Sequence, residues 1–249
     1  MLINEIAPIH SSNYTGGKDV LPTYNQVLFK KEVAKSRPLP GGSGIRYVVE
    51  KNDEKIAITL LDPNPQTYSS SMYGGIEAVG KLVLYRKKWP TPNAYDVSTI
   101  TVNEDYRGRG MAKAMYGIAL SIMKITLISG DSQTPGGQRN WASLSQIPGV
   151  AVSGYGTLED NMFDHETRQG VDQNKLEMVI DAIMELGADF IGKYTAWGEP
   201  YHVFKFPVTV NPNKVLQNAI DDTKFSMYGN LRYPYAFGEI GLMATWHGT

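Results

Sequence analysis

The chain has 249 residues, enough for one large domain or a medium domain with an appended subdomain. Its 24 Lys and Arg nearly balance its 25 Asp and Glu, so no overall electrostatic field attracts nucleic acid or an anionic membrane. The absence of cysteine excludes disulfides, thiolate zinc sites and cysteine nucleophiles. The N-terminus lacks the basic start and apolar run of a secretory signal, and no apolar run approaches the ~20 residues that span a bilayer, so we expect a cytoplasmic protein.

The first part of the chain is rich in strand patterns. Residues 1–44 are expected to form an N-terminal extension with one short helix over residues 24–35. Two β-branched runs joined by a polar turn then indicate a β-hairpin, and a loop rich in Pro, Ser, Asn and Gly follows it. The strands expected in this part lie at residues 45–50, 56–61, 79–85 and 95–102.

A striped helix follows the fourth strand. Apolar residues recur from Met111 to Met123 at i, i+3, i+4, i+7, i+8, i+11 and i+12, which is an uninterrupted stripe of period 3.6. A buried strand is expected at residues 125–128, a second helix at 138–146 and a further strand from residue 150.

The last part of the chain alternates helices and strands. Residues 172–186 have the pattern of an amphipathic helix closed by Gly187, and residues 201–206 alternate like a strand. Asn211-Pro212 signals a short helix through residue 220, and a last strand is expected near residues 240–246. This order predicts an α/β fold, a mixed α+β sheet with helices on its faces, divided into residues 1–44, 45–155 and 156–249.

The start of the striped helix has the chemistry of a diphosphate site. The segment Arg107-Gly-Arg-Gly110 follows a strand and a short polar turn. The first turn of a helix leaves N–H groups without partners and carries partial positive charge. Glycines let phosphate oxygens reach those N–H groups, and Arg107, Arg109 and Lys113 add three positive charges. The plain alternative is that the glycines make only a tight turn and the arginines are solvated.

Two common nucleotide motifs do not fit this segment. A P-loop would need a Gly-Lys-Ser/Thr ending, which is absent. A dinucleotide fold would need a third glycine where Lys113 stands, and an acidic residue where the strand at 125–128 ends in Ser129.

We further expect that an alanine at Gly110 is conformationally acceptable at a helix start but obstructs the phosphates.

The wording Tyr106-Arg-Gly-Arg-Gly-Met-Ala112 resembles motif A of the GNAT acetyltransferases. The resemblance covers residues 45–155 in element order and is specific over 99–119. It implies a GNAT-like fold: a central, mostly antiparallel sheet with two splayed strands, here followed by a C-terminal extension. It also implies that the CoA pyrophosphate lies on the loop amides and that the preceding strand binds the pantetheine arm and polarises the thioester. The cofactor-binding residues it implies are Ile100, Thr101, Val102, Arg107, Gly108, Arg109, Gly110, Met111, Ala112 and Lys113.

A second, shorter resemblance follows the buried strand. The segment from Ser129 to Trp141, with Leu144 after it, looks like a variant seen in predicted acetyltransferases of tailed bacteriophages. It implies a phage-encoded protein that acts in the host cytoplasm. Two features depart from the GNAT pattern: no helix pair separates the first two strands unless residues 11–40 supply it, and the region after residue 155 is longer than the family core needs.

Catalysis of this kind needs a base for the amine and often an acid for the CoA thiolate, both near the splayed strands. The candidate bases are Glu104 and Asp131, and the candidate acid is Tyr155. The plainer interpretations are a solvated turn residue for Glu104 and a core or surface tyrosine for Tyr155. Ser129 and Ser132 could hydrogen-bond the pantetheine or the acceptor, and ordered water could replace a side-chain base.

Other eye-catching residues have plainer explanations. The run Asp164-His-Glu166 is more consistent with a solvated polar stretch than with metal ligands, because adjacent residues cannot easily face one ion. The tryptophans Trp141, Trp197 and Trp246 are expected to pack in the core.

The predicted function is a CoA-dependent N-acetyltransferase. It would move an acetyl group from acetyl-CoA, its co-substrate, to an amine acceptor by direct attack in a ternary complex. The acceptor could be a protein or a small molecule, the chain could form a homodimer, and no metal, membrane or general nucleic-acid binding is expected. The alternatives are a non-catalytic GNAT-fold binding or virion-associated protein and, less favoured, a nucleotide-binding protein that uses the same loop.

Overall fold

The computed structural model describes residues 21–65, 75–87, 91, 93–129, 135–159, 173–196, 199–207 and 237–248. The first elements are β1 (Thr23–Tyr24), α1 (Gln26–Lys35), β2 (Arg37–Pro38), β3 (Arg46–Lys51), β4 (Lys55–Leu61), β5 (Ile76–Glu77), β6 (Gly80–Lys87) and β7 (Ala94–Val102). A 3-10 turn (Glu104–Tyr106) leads to α2 (Met111–Gly117), a π-helical turn (Ile118–Ile122) and β8 (Thr126–Ser129). The later elements are α3 (Pro135–Leu144), β9 (Val150–Glu159), α4 (Gln173–Glu185), β10 (Asp189–Ala196), β11 (Glu199–Pro207) and β12 (Phe237–Trp246).

Ten of these strands form one sheet, in the order β10-β11-β9-β12-β8-β7-β6-β4-β3-β2. Its neighbouring strands run antiparallel except β7 and β8, which run parallel. The strands β1 and β5 pair separately. The predicted fold class, a mostly antiparallel mixed sheet flanked by helices, is confirmed, and so is the β3–β4 hairpin.

Helices cover both faces of the sheet around β4. Every residue of β4 from Ile56 to Leu61 is buried, as in a strand covered on both sides. On one face Ile58 belongs to the main core, to which α2 contributes Met115 and α3 contributes Trp141. On the other face Leu61 clusters with Phe29 of α1. The predicted burial of Trp141 is therefore confirmed.

The C-terminal strand lies inside the sheet rather than at its edge. β12 pairs with β8 on one side and with β9 on the other. In the chain, α4, β10 and β11 come between β9 and β12. The strands β10 and β11 extend the sheet on the side of β9 that faces away from β12. The chain thus leaves the centre of the sheet after β9 and returns to it with β12.

The helix after the glycine segment is not α-helical throughout. The predicted stripe over residues 111–123 is confirmed for Met111, Met115, Ile118 and Ala119, which belong to the main core, but the backbone widens into a π-helical turn from Ile118 onward. There the N–H of Met123 donates to the carbonyl of Ile118 at 3.0 Å, an i→i+5 hydrogen bond. The wider turn rotates the side chains, so that Leu120 is fully buried and Ile122, which belongs to the stripe, is 42% exposed.

Several expectations concern other parts of the chain. The strand β10 was not predicted, because its alternation is broken where the register against β11 shifts between Phe190 and Gly192. The predicted helix at residues 211–220, the run Asp164-His-Glu166 and Trp197 lie outside the described residues. None of the described helices is long and apolar enough to cross a membrane.

Candidate cofactor-binding site

The strand β7 changes its pairing in the middle. Residues 94–97 pair with residues 126–129 of β8. On its other side, Thr99 pairs with Val83 of β6 and Val97 pairs with Leu84, so Ser98 is an extra residue. Such a β-bulge bends a strand and interrupts its ladder. The bulge therefore lies directly after the last residue of β7 that pairs with the described part of β8.

Beyond the bulge, one edge of β7 has no described partner strand at residues 100–102, and we call it the free edge. On their other side residues 99–102 pair with β6, and the described part of β8 ends at Ser129. Ile100 and Val102 pack against the main core, and Thr101 alternates to the opposite face. The backbone N–H and C=O groups on the free edge can bind a ligand. The described pairing of β7 with β8 ends at Val97 and Ser129, and the splayed strands that the GNAT resemblance implies stay a prediction.

The two-glycine loop, residues 107–110, follows the 3-10 turn. Gly108 and Gly110 have φ values of +76° and +78°, the left-handed region that suits glycine. A Cβ at either position would meet no atom within 4 Å, so the space beside both residues is open. Left-handed residues in turns orient backbone N–H groups into concavities that bind anions. The expectation that alanine at Gly110 is conformationally acceptable is wrong, because this residue is the left-handed N-cap of α2.

Unpaired amides follow the loop directly. The first hydrogen bond of α2 is donated by the N–H of Ala114 to the carbonyl of Gly110, at 2.9 Å. The N–H groups of Met111, Ala112 and Lys113 therefore have no acceptor within the helix. The helical segment continues through the π-helical turn, so its dipole also favours an anion at this end.

The charges around the loop differ in their environment. The Arg107 guanidinium forms an ion pair with Glu104 at 3.1 Å, and the two side chains are 63% and 83% exposed. It also donates to the carbonyl of Val102 at 3.3 Å. The guanidinium of Arg109 lies over the ring of Tyr106, 5.3 Å from its centroid. Glu104, one of the candidate bases, therefore lies on the exposed side of the 3-10 turn and is paired with Arg107.

Two carboxylates that the sequence did not indicate accept hydrogen bonds from the segment just before the loop. The Tyr106 hydroxyl donates to Oδ2 of Asp62 at 2.8 Å, and Nδ2 of Asn103 donates to Oε2 of Glu77 at 2.7 Å. Burial, followed by the hydrogen bond to Asp62, raises the pKa of Tyr106 to about 12, so its hydroxyl remains a donor at neutral pH. These partners are 44 and 26 residues apart in sequence, and no local pattern indicates such contacts.

Two hydroxyl groups meet where β8 ends, at what we call the hydroxyl junction: Ser129, Tyr155 and Gly241. Ser129 Oγ accepts a hydrogen bond from the N–H of Leu242 at 2.8 Å. A Cβ at Gly241 would lie 2.7 Å from Ser129 Oγ and 3.0 Å from the Tyr155 hydroxyl, so both oxygens lie beside one point. Ser129 and Tyr155 are 3% and 1% exposed. Ser129 is also the last described residue of β8 and pairs with Val97 of β7, next to the bulge at Ser98.

The structure thus groups the sequence-predicted residues in two places. The implied cofactor-binding residues form a continuous run of free strand edge, loop and helix start, while Ser129 and Tyr155 meet at the hydroxyl junction. Asp131 and Ser132 lie outside the described residues. Among the side chains that the structure describes, no three His, Asp or Glu residues are close enough together to hold a metal ion.

Among solved structures, the chain is similar to nourseothricin acetyltransferase, at 16% identity and a TM-score of 0.22, over 69% of this chain and 76% of that one. It is also similar to an aminoglycoside 6'-N-acetyltransferase complexed with coenzyme A, at 13% identity and a TM-score of 0.21, over 65% of this chain and 77% of that one. No family model and no curated protein matches the chain. At these TM-scores we infer nothing about function from either structure, and the phage origin stays a prediction.

Proposed function

We propose that the protein is a CoA-dependent N-acetyltransferase that binds acetyl-CoA along the free edge of β7 and the two-glycine loop. One observation supports this proposal: beyond the bulge at Ser98, a strand edge with no described partner strand is followed by a short turn and an open, left-handed glycine loop. Acetyl-CoA has the two matching parts, an arm with amide groups that can pair with a strand edge and a diphosphate that needs backbone N–H donors. A nucleotide would use the loop but leave the strand edge unused.

Each part of the site then has a separate task. The N–H groups of residues 108–113 bind the diphosphate, and Arg107, Arg109 and Lys113 supply the positive charge. The edge of residues 100–102 pairs with the pantetheine arm. A backbone N–H of this edge, aimed at the thioester oxygen, would stabilise the negative charge that develops there.

The transfer itself needs two proton movements. The acceptor amine loses a proton and attacks the thioester carbonyl carbon, a C–N bond forms, and the C–S bond then breaks to release the CoA thiolate. The thiolate takes up one proton, for which we propose the Tyr155 hydroxyl, which lies near Ser129 in the hydroxyl junction. The base stays a prediction: Asp131, or a water molecule that carries the proton away.

The cofactor assignment is tested by calorimetric titration of the purified protein with acetyl-CoA, CoA and ADP. We expect acetyl-CoA and CoA to bind similarly, because the diphosphate and pantetheine parts are common to both, and ADP to bind more weakly. Both CoA compounds should raise the melting temperature by mass action. Absence of binding at millimolar acetyl-CoA would exclude the proposal.

Turnover separates the enzyme from a binding protein. Release of free CoA thiol is measured with a panel of amines, including lysine peptides, peptide N-termini and small polyamines. Tight CoA binding without thiol release from any amine would favour the non-catalytic binding protein. Release with one amine class identifies the acceptor.

A further inference from the structure

The two-glycine loop rests on a support made by two carboxylates, which we call the carboxylate brace: Asp62 and Glu77. Asp62 directly follows β4, and Glu77 is the last residue of β5. Each accepts a hydrogen bond from the segment just before the glycines, Asp62 from Tyr106 and Glu77 from Asn103. The support therefore comes from strands that precede β7 in the chain.

The brace is connected to a cation of the loop. Asp62 uses both oxygens, Oδ1 for the N–H of Asn64 at 2.9 Å and Oδ2 for the Tyr106 hydroxyl, so its carboxylate is held in one orientation. The Tyr106 ring in turn carries the guanidinium of Arg109. The hydrogen bond from the Tyr106 hydroxyl to the Asp62 carboxylate makes the tyrosine ring more electron-rich, which strengthens its attraction for the guanidinium.

Considered by charge alone, the carboxylate brace is unfavourable for binding an anion at the loop. Two carboxylates near an anion-binding loop repel a diphosphate, and their removal should tighten its binding. Their hydrogen bonds have the opposite effect, because they fix the loop in the conformation that exposes its amides and thus lower the entropy lost on binding. The two explanations predict opposite signs for the same substitution.

We infer that Asp62 and Glu77 are positioning residues that preorganise the two-glycine loop for acetyl-CoA, with Asp62 acting through Tyr106 and Arg109. The inference rests on the proposed acetyl-CoA function. It requires that loss of the brace weakens CoA binding even though it removes negative charge from the site.

The test measures the Kd for CoA by calorimetry and the KM and kcat for acetyl-CoA in four variants. Asp62→Ala and Tyr106→Phe each remove the hydrogen bond, and Tyr106→Phe leaves the Asn64 contact intact. Asp62→Asn keeps an acceptor oxygen without the charge. The fourth is the double variant Asp62→Ala/Tyr106→Phe.

We expect Asp62→Ala and Tyr106→Phe each to raise the Kd and KM about threefold to tenfold, with kcat unchanged. The double variant should be no weaker than Asp62→Ala, because both substitutions remove the same contact. Asp62→Asn should bind like the parent or slightly more tightly. A variant with a lower melting temperature is measured well below it, so that a general loss of stability does not enter the Kd.

Tyr85 offers a matched control. It also carries a cation over its ring, Lys55 at 5.6 Å, but it lies at the opposite end of β6 from the loop. Tyr85→Phe should leave the Kd for CoA unchanged. Equal and tighter binding by Asp62→Ala and Asp62→Asn would overturn the inference in favour of charge alone, and so would parent-like binding by Tyr106→Phe. If the parent itself does not bind CoA, the proposed function fails instead.

Discussion

Gly110 in the two-glycine loop and Gly241 in the hydroxyl junction are glycines for opposite reasons. Gly110 has a φ of +78° and open space where a Cβ would lie. Gly241 has no left-handed conformation, but its Cβ would lie within 3.0 Å of the side chains of Ser129 and Tyr155. The first glycine serves backbone conformation and access for a ligand, whereas the second makes room for packing.

The two regions are therefore expected to respond differently to substitution. A substitution at Gly110 in the open loop should strain the backbone and obstruct a ligand, but it should displace no buried side chain, because little of the protein is near it. A substitution at the crowded junction should affect the fold even without a ligand, because buried side chains must move. The four predictions below test this separation.

The largest effect is expected for Gly110→Val. Its side chain would occupy the space through which phosphates approach the amides, so we expect the Kd for CoA to rise by more than about 100-fold. Gly41 is the control, since it is also left-handed, at φ +99°, with open space around it. Gly41→Val carries the same kind of backbone strain, about 1–3 kcal/mol, yet should bind CoA like the parent. Parent-like binding by Gly110→Val, with circular dichroism showing a folded protein, would reduce the loop to a turn.

The next effect concerns Tyr155→Phe. Loss of the proposed proton donor should lower kcat about 30-fold or more and leave the KM for acetyl-CoA within about twofold of the parent. Tyr47→Phe, at a buried tyrosine of β3, is the matched control and should retain kcat. An unchanged kcat in Tyr155→Phe would leave the junction with a purely structural role.

A stability effect is expected for Gly241→Ala. The added methyl group would contact Ser129 Oγ and Tyr155 at 2.7 to 3.0 Å, so we expect the free energy of unfolding to fall by about 1–3 kcal/mol. Gly117→Ala is the control, because a Cβ there meets nothing within 4 Å and a helix favours alanine. Urea unfolding of both variants without ligand measures the difference. Equal stability of Gly241→Ala and the parent would contradict the packing explanation.

The smallest effect is expected for Glu104→Ala. The exposed ion pair with Arg107 contributes little to folding, so the melting temperature should stay within about 1 °C. Freeing the guanidinium should tighten CoA binding about twofold at low salt, and added salt should remove the gain. Glu32→Ala breaks a similar i, i+3 pair with Lys35 in α1 and should leave the Kd unchanged. Weaker CoA binding by Glu104→Ala would show that this carboxylate supports the loop.

Features that depend on residues close together in the sequence could be predicted. The β3–β4 hairpin followed from two β-branched runs and one polar turn, and α4 followed from its apolar period and from Gly187, which has a φ of +93°. The two-glycine loop also followed from local wording, because a strand end, two glycines and a helix start are adjacent in the chain. The conformation of Gly110 did not, because the same letters suit the last residue before a helix or the first one within it.

The sequence by itself determined the fold class and indicated the loop at which we propose that acetyl-CoA binds, since period, turn chemistry and clustered charge act over a few residues. Only the tertiary structure decided that β12 lies between β8 and β9, that β7 bulges at Ser98, and that Asp62 reaches Tyr106. These features join residues far apart, such as Ser129 and Leu242, which are 113 positions apart. Which distant strand edge or hydroxyl supplies the partner depends on the packing of the whole sheet, and no window of the sequence contains it.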